Sequence, residues 1–135
     1  MTETLRLEVV TPSRRVLEGR ASEVRIPGAL GELGVLPGHT PLLTSLGTGA
    51  VTWVDGDTTG HLVVQGGFAE VQPDAVTVLA VIAETVDEID VESARTALAE
   101  AQEKLKSVSA EEFDEIDGQK RLAEARINAT EGGGA

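Results

Sequence analysis

The chain has 135 residues, 11 basic against 23 acidic, and a formal net charge of −12. That length fits one domain, or one compact domain with an appendage. The charge excludes a phosphate-backbone binder and direct docking on an anionic membrane. With 2% aromatics there is no base-stacking platform, and with no cysteine there is no disulfide, zinc thiolate or cysteine nucleophile. No apolar run approaches the roughly 20 residues of a membrane span, and Met1-Thr2-Glu3 does not open a signal peptide. The expectation is a soluble intracellular protein.

In chain order, Leu5, Leu7 and Val9 alternate with Arg6 and Glu8, the pattern of a half-buried strand. Thr11-Pro12-Ser13 is a turn. Val24 to Ile26 is a second strand, closed by Pro27-Gly28. Residues 31–43 form a Gly- and Pro-punctuated segment, read as a rigid loop with Glu32 near its start. Val51 to Val54 and His61 to Val64 flank an acidic hairpin loop, Asp55 to Gly60. Phe68 to Val71 and Ala75 to Ile82 flank a tight turn at Gln72-Pro73-Asp74. Short strands at this spacing predict a β-sandwich or barrel of roughly 80 to 90 residues.

The texture changes near Glu84 to Asp90. All five prolines lie at or before Pro73, and apolar residues now recur at helical spacing. Asp90 is placed to cap a first helix with a stripe of Ala94, Leu98, Ala101 and Leu105. Ser107-Val108-Ser109 breaks it. Ser109 and Glu112 have capping-box spacing, so a second helix is expected there, with Phe113, Ile116, Ala123 and Ile127 as its stripe. So short a connection makes the helices antiparallel neighbours. The stripes are thin, and Gly118 costs the second helix about 1 kcal/mol against alanine. This predicts a hairpin able to detach. The expected division is 1–86 as a β-sandwich, 87–130 as a helical hairpin and 131–135 as a disordered tail.

No motif for chemistry survives scrutiny. His39 and His61 stand alone, without the convergent ligands of a metal site. Asp55-Gly56-Asp57 lacks the further ligands of a calcium loop. Gly47-Thr48-Gly49 lacks the third glycine of a dinucleotide fingerprint. More informative is charge: from Ile26 through Ala94 there is no Lys or Arg, while ten carboxylates lie there. Such a surface either keeps the protein soluble or meets a basic partner.

The segment Gly31-Glu32-Leu33-Gly34-Val35-Leu36-Pro37-Gly38-His39, followed by Pro41-Leu42-Leu43-Thr44, resembles the hallmark of the epsilon subunit of the F-type ATP synthase. Gly66 to Val71, Val76 to Ala80 and Leu7 to Pro12 are similar to its other strands. The resemblance implies an N-terminal antiparallel β-sandwich, a C-terminal two-helix hairpin and a non-catalytic role in the central stalk. It implies the gamma subunit and the c-ring as partners, and the alpha and beta subunits when the helices extend to inhibit hydrolysis. It also implies a peripheral place on the cytoplasmic face of the membrane, coupled to proton flow, without membrane insertion. By the same resemblance Glu32 faces the c-ring and His39 lies close to gamma. Some members bind ATP at the first helix start. Glu84, Ile89, Asp90, Ala94 and Arg126 match that pattern here, but the arginine position is Ser93, and Arg95 falls on a different helix face. The resemblance therefore implies no obligate cofactor and at most weak regulatory ATP. The rival readings are a free-standing acidic adaptor that binds through its hairpin, and a hydrolase whose carboxylates converge only in the fold.

Overall fold

A computed structural model describes residues 3–131. Eight strands come first: β1 (Leu5–Val10), β2 (Arg15–Ala21), β3 (Glu23–Gly28), β4 (Gly31–Val35), β5 (Leu42–Ser45), β6 (Thr48–Asp55), β7 (Thr58–Gln72) and β8 (Ala75–Thr85). A 3₁₀ turn (Val86–Glu88) leads into α1 (Val91–Leu105) and α2 (Phe113–Thr130).

The strands follow one hydrogen-bonded path, β2-β1-β8-β7-β6-β3-β4, with β5 joined to β7. The two longest strands each serve both layers of a sandwich. The first half of β8 pairs in parallel with β1, and the second half of β7 pairs with β5. The first half of β7 pairs instead with β6. The crossover falls at Gly66 and Gly67, with φ of 72° and 102°. A Cβ on Gly67 would lie 2.0 Å from Leu79 O, so no other residue fits there.

Alternation fills the space between the layers. Leu5, Leu7, Val9, Val71, Val76 and Val78 meet Val24, Ile26, Val35, Val51, Leu62 and Val64, all almost fully buried. Each such side chain contributes roughly 1.5–3 kcal/mol by leaving water.

A second, smaller cluster lies outside the sandwich. Val63 points away from the core and meets Leu122 and Ala129 of α2, with Ile82, Val86, Ile89 and Ala125 around them. Helix α2 packs on β6 and β7, and α1 packs on α2. The hairpin buries mostly small residues: Ala94 and Ala101 on α1, and Ile116, Leu122, Ala123 and Ala129 on α2.

Several expectations change. Strand β2, with its glycine and charges, has no clear alternation and was not anticipated. Strand β3 runs through Pro27 and Gly28 instead of ending before them, because Pro27 pairs with Glu32. The segment 31–43 is not one loop: it contains β4 and the start of β5. The Asp55–Gly60 connection narrows to Gly56-Asp57, since Asp55 already pairs with Thr58. Asp90 does cap α1, accepting from Ser93 N at 3.1 Å. Ser109 and Glu112 do bond to each other, but they close a turn, and α2 starts at Phe113. On α2, Phe113 is exposed and Ile127 only half-buried, while Leu122 and Ala129 are buried: the helix faces the sheet as well as α1. Glu131 closes the last turn of α2, and the rest of the expected tail, 132–135, lies outside the described residues.

Candidate functional site

Three surfaces carry the residues singled out in the sequence. The first is the edge of the sandwich. Glu32 is exposed on edge strand β4, two residues from the tip of the β3–β4 hairpin, where Leu30 is fully exposed. His39 lies past the opposite end of the same strand. Its Nδ1–H donates to Thr40 O at 2.6 Å, and Gly38 N ties the segment to Pro73 O at 2.7 Å. The fold thus holds Glu32 and His39 at opposite ends of β4 and does not bring them together.

The second surface is a cleft of about 330 Å³ between β8, the start of α1 and α2. It gathers Glu84, Asp90, Ala94 and Arg126, along with Glu88, Ser93 and Ala97. Ile89 turns away into the apolar cluster around Val63. Every charged group in the cleft has a partner. Arg126 forks onto Glu84, with Nε to Oε1 at 2.6 Å and Nη2 to Oε2 at 3.0 Å. Ser93 donates through N and Oγ to Asp90, whose carboxyl is held below its ordinary pKa first by the Ser93 backbone N–H. Arg14 donates to both oxygens of Glu88 at 2.8 Å, and Thr85 adds two more bonds. These partners, Arg14 foremost, lower the Glu88 pKa to about 2. The lining of the cleft thus carries three carboxylates and one guanidinium, with Arg14 holding Glu88 from outside it. Glu88 was missed in the sequence because its partner lies 74 positions away.

The third surface was not foreseen. On the outer face of the β5-β7-β8 layer, Phe68 stands opposite Leu79, with Val81 next on the same face of β8 and Leu43 on β5 opposite Glu70. Their exposures are 52%, 50%, 65% and 67%. Beyond β8, the outer face of β1 and β2 is charged: Glu8 pairs with Arg15 at 2.8 Å, and Arg6 pairs with Glu18. The alternation that buries Ala69, Val71, Val78 and Ala80 also sends Phe68, Leu79 and Val81 outward, which was the available signal.

Among the described residues there is no group of three or more side chains able to hold a metal, and no helix long and apolar enough to cross a membrane.

The profile of the family described as ATP synthase, Delta/Epsilon chain, beta-sandwich domain matches residues 4–86. The chain is 47% identical over 112 residues to the ATP synthase epsilon chain of Geotalea uraniireducens, covering 83% of this chain and 81% of that one. The chain belongs to the ATP synthase epsilon-chain family. To the epsilon chain of Myxococcus xanthus it is 45% identical over 127 residues, 93% of each chain. A chain in the cryo-EM structure of the Euglena gracilis mitochondrial ATP synthase (OSCP, F1 and c-ring, rotational state 1) superposes with a TM-score of 0.81 at 26% identity. That match covers 93% of this chain and 80% of that one. This epsilon chain is therefore a non-catalytic central-stalk subunit of the F-type ATP synthase. The hydrolase and adaptor readings fall with that assignment.

Proposed function

We propose that this epsilon chain couples rotation to ATP synthesis by docking on gamma through the Leu43, Phe68, Leu79 and Val81 face. The observation that carries this reading is that face itself. Large exposed apolar side chains on one face of three adjacent strands, flanked by charge, mark a protein interface rather than a solvated surface. His39 lies near the gamma contact. Glu32, at the other end of β4, meets the polar loops of the c-ring. Exposed and without a cation partner among the described residues, it suits a basic loop. The chain lies peripherally at the cytoplasmic face of the cell membrane as part of the ATP synthase, which is driven by protons.

The sandwich, residues 1–86, is the rotor-binding unit and the hairpin, 87–130, the regulatory one. Released helices extend along gamma toward alpha and beta and restrain ATP hydrolysis. Nucleotide does not govern that release in this chain. The cleft at Asp90 presents three carboxylates, its one guanidinium is held by Glu84, and Ser93 offers no charge to a polyphosphate.

Phe68→Glu combined with Leu79→Glu tests the gamma contact. The expected loss of gamma affinity is about 30-fold or more, with the sandwich still folded. Unaltered affinity would overturn the assignment of this face. Glu32→Lys should weaken assembly with the c-ring, and normal assembly with coupled pumping would remove Glu32 from the interface. Calorimetric titration with ATP should show no binding in the micromolar range.

A further inference from the structure

Period-two alternation along β7 aims His61, Val63 and Gln65 at α2, while Leu62 and Val64 enter the core. Val63 makes the apolar contact. The two polar residues reach backbone rather than side chains of the helix. Gln65 Nε2 donates to Gly118 O at 2.9 Å, and also to Thr48 Oγ1 at 3.0 Å. His61 Nε2–H donates to Ala129 O at 3.1 Å.

The second of these bonds falls where a helix needs one. The last four carbonyls of a helix lack intrahelical partners and carry the negative end of its dipole. Here Glu131 N serves Ile127 O and Asn128 O, at 3.1 and 3.3 Å, and Thr130 Oγ1 serves Ile127 O at 2.9 Å. Ala129 O is served by His61, from a different element. The last turn of α2 contains no basic residue, so a cation at this end must come from outside the helix.

We propose that His61 is a pH-sensitive latch on the hairpin: as imidazolium it caps the C-terminal end of α2 and holds the helix on the sandwich, and its deprotonation eases release. The surrounding charges leave that dependence to His61. On α2 these are Arg126, held by Glu84 of β8, and Glu131, two residues beyond Ala129. Strand β6 contributes the uncharged Thr52 directly opposite His61 and, at its end, Asp55. The 3₁₀ turn contributes Asp87 and Glu88, the latter held by Arg14, and the turn between β6 and β7 contributes Asp57. Carboxylates and guanidinium groups ordinarily titrate outside pH 6 to 8, and histidine within it. The other histidine, His39, is bonded inside its own segment. The latch concerns docking in the isolated chain and does not depend on the inhibitory role proposed for the released helices.

Amide hydrogen-exchange protection factors on the full chain test it, because they divide out the intrinsic pH dependence of exchange. Protection at Leu122, Ala123 and Ala125 should fall about two- to five-fold between pH 6 and pH 8. Protection of core amides such as Val64 and Val76 should not. His61→Gln keeps an N–H donor without titrating, so its α2 protection should be flat across that range. His61→Leu should lower α2 protection at both pH values while core protection persists. A flat profile in the unaltered chain, or the same pH dependence in His61→Gln, would overturn the latch.

Discussion

The sandwich and the hairpin are joined to themselves in different ways. Between the layers, leucine, valine and isoleucine interlock with almost no exposure, and among the described residues no polar one is buried. Beneath the hairpin, alanine prevails, and the one contact between large buried side chains is Val63 against Leu122, with Ile82, Val86 and Ile89 only partly buried around it. What the hairpin lacks in apolar area it supplies with three polar ties: Arg126 to Glu84, Gln65 to Gly118 O and His61 to Ala129 O. A close-packed core resists partial opening, whereas hydrogen bonds can be exchanged for water at modest net cost. Within one chain, then, one region is held by close apolar packing and the other in larger part by polar bonds.

Substitutions that separate the two regions sharpen this contrast. The largest effect is expected in the core. Leu7→Ala or Leu62→Ala should cost about 2–5 kcal/mol in chemical denaturation, through lost burial and an unfilled cavity. Leu122→Ala should instead lower amide protection in α2 and leave the sandwich transition in place. Equal effects on both regions would erase the distinction.

Next comes the ion pair. Both side chains of Arg126 and Glu84 are about a quarter exposed. Arg126→Ala should weaken hairpin docking by about 1–2 kcal/mol, read from exchange protection of α2. A double-mutant cycle with Glu84→Gln should show coupling between the two sites. Gly118→Ala should act in the opposite direction, stabilising α2 by up to about 1 kcal/mol. The added Cβ meets only Gln65 Nε2, at 4.0 Å, so it fits without displacing the docked helix. Loss of helix content in that variant would show that the glycine is needed for docking.

The smallest effect concerns acid. Glu88 ties the 3₁₀ turn to Arg14 and has its pKa lowered to about 2 from an ordinary 4.5. Its contribution is therefore fully present above about pH 4.5 and is lost as pH falls toward 2. Arg14→Ala should flatten stability against pH in that window, measured by urea unfolding at pH 5, 4 and 3.

Much of this contrast could be read from the residues themselves. The alternation of Leu5, Leu7 and Val9, the Pro73-Asp74 turn and the Asp90 cap are local signals, and each stands in the structure as read. The thin, alanine-rich helix stripes already implied weak packing. Signals that depend on distant partners were lost. Strand β4 hides in a Gly- and Pro-rich run because its pairing comes from β3. Leu122 and Ala129 appear buried only once β7 lies beneath α2. The Glu84, Asp90 and Arg126 grouping came from family resemblance, since nothing local links residues 42 positions apart.

A chain ending at residue 86 tests the independence of the two regions most directly. Removing the hairpin uncovers Val63 and Ile82 but leaves the packing between the layers intact. Urea unfolding of that fragment, followed by the circular dichroism of its strands, should show one cooperative transition. A fragment without a cooperative transition would mean that the helices complete the sandwich, and that the hairpin is not free to leave it.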